Sequence, residues 1–171
     1  MSKVFATLTL FTIFAVQAFA GDVVSKEAIT TAPQDPESFA PGFEFGAYAA
    51  GALPNGSAGD ELGGGISMAY YFTENIGVDM SYAVFPYSSE VHAVTADLAL
   101  RAPANCISPY VLMGGGLISG GTTDGLYRLG GGLDIRFQNL GNMGVFADGV
   151  YNWVEGDNNF TIARLGVRIP F

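Results

Sequence analysis

Apolar and polar residues alternate with a period of two in eight segments between residue 43 and the end of the chain. Side chains point alternately to the two faces of a β-strand, so this alternation predicts strands with one apolar and one polar face. Each segment has about 9 to 12 residues, close to the length with which a tilted strand crosses a lipid bilayer. Short connections predict antiparallel hairpins between neighbours. The predicted strands are residues 43–53, 64–72, 76–85, 91–101, 109–118, 126–137, 144–154 and 160–171.

The last predicted strand has the clearest alternation. Counted back in twos from the terminus, one face is entirely apolar, and the other face carries two arginines. The apolar face consists of Phe171, Ile169, Val167, Leu165 and Ala163, and the arginines are Arg164 and Arg168. The fifth segment contains three glycines, so its facing is left unassigned.

Every arginine of the chain falls on the polar face of a predicted strand, together with five acidic residues. In a soluble sheet these charges would meet water and the apolar faces would turn inward. Five positive against five negative charges favour the inverse arrangement, in which the charges neutralise each other inside a closed barrel and the apolar faces contact lipid. The predicted lumen charge network is Glu44, Asp79, Asp97, Arg101, Arg128, Asp134, Arg136, Asp148, Arg164 and Arg168.

The fold class predicted from these patterns is all-β, an eight-stranded antiparallel up-and-down transmembrane β-barrel with an N-terminal signal peptide. An interior of this size is filled by side chains, so we expect a plugged lumen. Two alternatives stay open: the charges line a narrow ion or solute channel, or the chain is a soluble lipocalin-like barrel. The second is disfavoured because its cavity would hold the arginines and its exterior the aliphatic residues.

Aromatic residues are predicted to form two bands at the headgroup levels of the membrane. One band, at the end that carries both chain termini, comprises Phe43, Phe72, Tyr110, Phe137 and Phe171. The band at the opposite end comprises Tyr82, Tyr87, Tyr127 and Trp153.

The chain starts with features of an export signal. Lys3 precedes an uncharged apolar run over residues 4–16, and Ala18 and Ala20 fit the small-x-small cleavage pattern. The predicted organisation is a signal peptide over residues 1–20, a mobile lead-in over residues 21–42 that packs no core, and a barrel over residues 43–171.

Composition excludes several functions. The chain has 16 acidic against 7 basic residues and no basic cluster, so nucleic acid is not expected as a partner. No glycine triplet opens a helix or precedes Lys-Ser/Thr, which argues against a nucleotide site. Cys106 is the only cysteine and His92 the only histidine, so neither a disulfide nor a multi-histidine metal site is expected. No cofactor is predicted.

These features together resemble the small outer-membrane β-barrel family, which includes the opacity-type proteins and the transmembrane domain of outer-membrane protein A. The resemblance covers residues 43–171. It implies a place in the bacterial outer membrane, contact with outer-membrane lipid and lipopolysaccharide, and a non-enzymatic role in envelope integrity or surface contact. It also implies that Phe171, Ile169 and Val167 form a signal for the barrel-assembly machinery. A monomer is expected, although the sequence does not define the oligomeric state.

Two further hypotheses concern the rim of the barrel. Some outer-membrane lipid-modifying enzymes keep a histidine with a serine and an acid there, and His92 lies near Ser88, Ser89 and Glu90. The leading hypothesis assigns no catalytic residue, and a lipid-modifying enzyme that uses His92 is kept as an alternative. Acidic loop residues are expected to keep the loops soluble, or else to bind divalent cations together with lipopolysaccharide phosphates. These residues are Asp60, Glu61, Glu90, Asp124, Glu155 and Asp157.

Overall fold

The chain forms a closed barrel of eight antiparallel strands in sequence order, and β1 pairs with β8. The computed structural model describes residues 38–54, 61–86, 90–155 and 159–171. A 3₁₀ turn, Gln138–Leu140, joins β6 to β7. The strands are β1 Gly42–Pro54, β2 Glu61–Tyr71, β3 Ile76–Phe85, β4 Val91–Arg101, β5 Ile107–Ser119, β6 Thr123–Phe137, β7 Met143–Val154 and β8 Phe160–Pro170.

The predicted all-β architecture, an eight-stranded antiparallel up-and-down barrel, is confirmed, and the bounds of β3 and β4 agree with those predicted. The main difference lies in the β5–β6 hairpin, where residues 119–125 were predicted as a loop. Pairing continues to Ser119↔Thr123, so the connection shrinks to a tight turn. Backbone pairing in this hairpin therefore continues beyond the residues in which apolar and polar side chains alternate regularly. In the described part of the chain, no helix is long and apolar enough to cross a membrane.

The polarity of the barrel is inverted relative to a soluble protein. Large apolar side chains of every strand are exposed on the outer wall, among them Leu165 at 60% and Met80 at 52%. Polar and charged side chains occupy the interior. Closing the sheet satisfies the edges that hydrocarbon could not hydrate.

The structure assigns the facing of β5 and corrects one aromatic residue. Ser108, Tyr110 and Leu112 point inward and are buried, whereas Met113 and Leu117 are exposed. Tyr110 was predicted in an outer aromatic band, and this is wrong. The error followed from the unassigned facing of a strand whose glycines carry no side chain to indicate it.

The lumen has two halves of different chemistry. We call the end where β1 begins and β8 ends the terminal end, and the opposite end the distal end. Interior residues of β3 run from Asp79 near the terminal end to Ala83 and Phe85 near the distal end. The distal half contains an apolar cluster of Tyr48, Ala50, Ala52, Ala83, Phe85, Ala93, Phe146, Phe160 and Ile162.

The segment before β1 does not behave as predicted. Ser38 and Phe39 are buried against the barrel, so the expectation that the lead-in packs no core is wrong for these two residues, whereas Ala40 and Pro41 are exposed. The cause is a set of contacts with lumen arginines, described below. The predicted signal peptide, with Ala18 and Ala20, and residues 21–37 of the lead-in lie outside the described residues.

Candidate functional site

The ten charged residues of the predicted lumen network all lie inside the barrel. Each is at most 8% exposed. Alternation along the strands directs them inward, and no lysine occurs after residue 26. A buried ion without a partner is costly, so their pairing decides whether the interior is stable.

The largest group of charges fills the terminal half and is centred on Glu44. Arg101 Nη1 donates to Glu44 Oε1 at 2.8 Å, and Arg136 Nη2 donates to Glu44 Oε2 at 2.7 Å. These contacts join β1 to β4 and β6 across the lumen. Bidentate or shared guanidinium contacts of this kind are the strong form of an ion pair.

Asp134 and Asp79 extend this group through Arg168. Arg136 holds Asp134 with two hydrogen bonds of 2.9 and 2.8 Å. Arg168 donates to Asp134 Oδ2 at 3.3 Å and to Asp79 Oδ2 at 3.2 Å. We call these six residues the terminal network: Glu44, Asp79, Asp134, Arg101, Arg136 and Arg168.

A separate pair lies nearer the middle of the lumen. Arg164 binds Asp148 in bidentate fashion, at 2.7 and 2.8 Å. The Tyr110 hydroxyl donates to the same carboxylate at 2.6 Å. Sequence reasoning missed Tyr110 as part of the interior; only the strand register could have revealed it.

Arg128 and Asp97 form the loosest pair. Arg128 Nε lies 3.3 Å from Asp97 Oδ1 but without hydrogen-bond geometry. Arg128 Nη1 instead donates to Thr95 Oγ1 at 2.7 Å, and that hydroxyl shares a 2.8 Å hydrogen bond with Ser81. Both hydroxyls point inward, Ser81 on β3 and Thr95 on β4. The alternation of side chains predicts this position but does not predict the hydrogen bonds that they form.

Aromatic rings surround several guanidinium groups. Arg101 Cζ lies 3.5 Å from the Tyr71 ring centroid, and Arg168 Cζ lies 4.6 Å from that of Phe146. Cation–π contacts gain strength when water is excluded. The rings therefore pack against the guanidinium groups and hold them in place, while the carboxylates neutralise their charge.

A small cavity lies inside the barrel, among residues of the distal cluster. Its volume is about 10 Å³, and it is lined in part by Tyr48, Thr95, Arg128 and Asn152. Such a volume holds about one water molecule. The arrangement is that of a plug built from paired charges and apolar side chains.

His92 lies on the outer wall near the distal end. Its Nδ1 is 2.8 Å from the Tyr82 hydroxyl, the two rings stack, and Nε2 is 3.9 Å from Glu90 Oε2. Ser88 and Ser89 lie outside the described residues. The structure therefore brings a tyrosine and a glutamate to His92 and leaves the serine of the alternative hypothesis undescribed.

The acidic loop residues that the structure describes do not form a metal-binding cluster. Among the described residues, no group of three or more His, Cys, Asp or Glu side chains could hold a metal ion. Glu61, Glu90, Asp124 and Glu155 are described, whereas Asp60 and Asp157 are not. The cation hypothesis has no described geometry to support it.

The predicted assembly residues lie at the outer wall of β8. Val167 and Ile169 are exposed, and the Phe171 backbone N–H donates to Phe43 O at 3.0 Å. The Phe171 ring stacks on Phe43 at 5.9 Å, and Phe43 contacts Tyr70 at 4.6 Å. The C-terminal residue thus closes the seam between β8 and β1 at the terminal end.

A closed barrel with an apolar wall and an ion-paired lumen has the architecture of small transmembrane β-barrels. Comparison with solved structures identifies proteins of that fold. Neisserial surface protein A has 19% identity, covers 75% of this chain and 97% of its own, and superposes with a TM-score of 0.58. The N-terminal β-barrel domain of Pseudomonas aeruginosa OprF has 20% identity, the same coverages and the same TM-score.

A third structure, the outer membrane protein OprG from Pseudomonas aeruginosa, has 11% identity, covers 80% of this chain and 99% of its own, and has a TM-score of 0.57. No family model matches the chain, and no curated protein matches it. At these identities the likeness shows the fold. The predicted resemblance to small eight-stranded outer-membrane barrels is confirmed at that level, and the predicted location agrees with it.

Proposed function

We propose that this chain is an integral protein of the bacterial outer membrane, without catalytic activity, that serves envelope integrity or surface contact through its distal loops. The observation that carries the proposal is the inverted polarity of the barrel, with aliphatic side chains exposed outside and ten ion-pairing residues buried inside. A lumen closed by paired charges and apolar residues supports a structural role over conduction. Outer-membrane lipid and lipopolysaccharide are the expected surroundings of the apolar wall.

The proposed orientation places the terminal end in the periplasm and the distal turns outside the cell. Both ends of an even-stranded barrel lie on one side, which is the periplasm in this class of protein. Neisserial surface protein A shares the fold and is described by its name as a surface protein. Surface contact through distal loops is consistent with that neighbour.

Membrane fractionation combined with surface proteolysis tests location and orientation together. A specific protease site is inserted after Gly121, which is exposed at a distal turn, where an added side-chain carbon would meet no non-neighbouring atom within 4 Å. The matched control carries the same insertion after Asn105, in the β4–β5 turn at the terminal end. We expect the protein in the outer-membrane fraction, with protease added to intact cells cutting only the Gly121 insertion. Recovery as a soluble protein, or cutting only at the Asn105 insertion, would contradict the proposal.

The barrel-assembly machinery is the proposed partner of the C-terminal strand. Deleting Phe171 is expected to lower the yield of folded, heat-modifiable protein in cells by about tenfold or more. The yield of the purified variant refolded into lipid vesicles is expected to stay within about twofold of wild type, because one terminal aromatic contact is worth about 1 kcal/mol. Electrophoretic mobility before and after boiling measures both yields. Equal losses in cells and in vesicles would indicate a stability defect instead of a recognition defect.

A further inference from the structure

Residues 38–41, which we call the strap, cross the terminal mouth of the lumen. The strap joins β1 at Gly42, and its Ser38 Oγ accepts a hydrogen bond of 3.0 Å from Gln138 Nε2, just after β6. In a closed ring of eight strands, β1 lies opposite β5, the neighbour of β6. The strap therefore runs from one side of the mouth almost to the other.

Arg101 holds the main chain of the strap. Its Nη2 donates to Phe39 O at 3.0 Å and to Ala40 O at 3.2 Å. Its Nη1 is engaged by Glu44 and its Nε by Glu74 O at 2.6 Å. One guanidinium thus joins the strap to the terminal network.

The Phe39 ring covers two guanidinium groups. It is 4% exposed, and its centroid lies 5.2 Å from Arg101 Cζ and 5.0 Å from Arg136 Cζ. An aromatic face over a guanidinium attracts the charge and excludes water from it. Phe39 therefore shields the terminal network from the solvent at this mouth.

The contacts of the strap can be lost without leaving a lumen charge unpaired. Without the strap, Arg101 still binds Glu44, and Arg136 still binds Glu44 and Asp134. The strap lies outside the sheet, so its departure breaks no strand pairing. Gly42 has φ of +144°, a conformation that side chains disfavour, and supplies the bend between strap and strand.

From these contacts we propose that the strap is a removable cover of the terminal mouth. Closed, it completes the plug by sealing the terminal network from the aqueous compartment. Swung out about Gly42, it exposes Arg101 and Arg136 while the barrel and the distal apolar cluster stay intact. Opening and closing of the strap do not depend on which membrane the barrel occupies.

Modification of arginines by phenylglyoxal, read by peptide mass spectrometry, tests this cover on the barrel refolded in lipid vesicles. Phe39→Ala is expected to raise the modification rate of Arg101 and Arg136 by about tenfold, because it removes the apolar contact that favours the closed position. Arg128 and Arg164, deeper in the lumen, serve as internal controls and keep their wild-type rates. Unchanged rates at Arg101 and Arg136, or equal increases at all four arginines, would overturn the proposal.

A reversible lock provides a second test that leaves Phe39 in place. Ser38→Cys and Gln138→Cys, in a Cys106→Ser background, are bridged by a short bifunctional thiol reagent that a reductant cleaves. The bridged barrel is expected to lose most modification of Arg101 and Arg136, and reduction restores it. The same two cysteines capped singly are the matched control. Equal rates before and after bridging would show that the strap does not open.

Discussion

The two halves of the lumen differ in the number of charges among their apolar side chains. The terminal half contains three carboxylates and three guanidiniums joined by contacts of 2.7 to 3.3 Å. The distal half contains an apolar cluster of alanines, phenylalanines, a tyrosine and an isoleucine, with Arg128 beside it. Both halves are enclosed by the same eight strands and the same apolar wall.

The difference teaches how each half specifies the barrel. Apolar side chains pack with any neighbour of suitable volume, so the distal half tolerates exchange as long as it is filled. A buried charge requires a particular partner at a particular distance. We therefore expect the terminal half to discriminate between correct and shifted strand registers, and the distal half to contribute mainly filling.

Removing one member of the terminal network should have the largest effect. Arg168→Met leaves Asp79 and Asp134 short of a buried partner, and the expected loss in free energy of unfolding is about 3–5 kcal/mol. Urea titration of the protein in lipid vesicles, followed by Trp153 fluorescence, measures it. Arg168→Lys keeps the charge but loses the planar guanidinium that binds two carboxylates, so its free energy of unfolding should lie between those of wild type and Arg168→Met. A loss near zero for Arg168→Met would mean that the two halves do not differ in their need for specific partners.

Replacing a whole ion-paired group should cost less than breaking it. Arg164, Asp148 and Tyr110 form such a group near the middle of the lumen, and the combined variant Arg164→Met, Asp148→Leu and Tyr110→Phe removes all of its polar groups. We expect this variant to have a free energy of unfolding within about 2 kcal/mol of wild type. Arg164→Met alone should lose about 3 kcal/mol or more. The same titration compares them. If the triple variant were the less stable of the two, charge pairing would contribute more than an apolar filling could.

The distal half should tolerate a change of shape. Phe85→Leu keeps an apolar side chain in the buried cluster, so the expected loss is below about 1.5 kcal/mol. Phe85→Ala, the control that empties the site, should lose about 3 kcal/mol or more. Equal losses would mean that the distal half demands one shape as strictly as the terminal half demands its pairs.

The smallest effect is expected outside the lumen. His92→Ala removes an exposed hydrogen bond to Tyr82, and we expect a loss of about 1 kcal/mol or less. Lipopolysaccharide and phospholipid incubated with wild type and variant should stay unmodified in both. Lipid turnover that wild type shows and the variant lacks would instead establish the enzyme alternative.

Strand positions were predictable where side chains mark both faces. β3 and β4 alternate without interruption, and their predicted bounds agree with the structure. The position of β5 was predicted to within two residues, but its facing was not predictable, because Gly114, Gly115 and Gly116 present no side chain to either face. The facing of Tyr110 therefore depended on the register of β5 against β6, which is a property of the closed sheet.

Outside β5, the sequence by itself was enough to predict which side chains point inward, because a strand alternates every second residue whatever surrounds it. Only the tertiary structure decided which charges meet. Glu44 and Arg136 are 92 residues apart and come together because their strands stagger to the same depth of the lumen. The strap also depends on tertiary contacts. Alternation predicts nothing for residues 38–41, whose place depends on Arg101 of β4 and on Gln138 of the turn after β6.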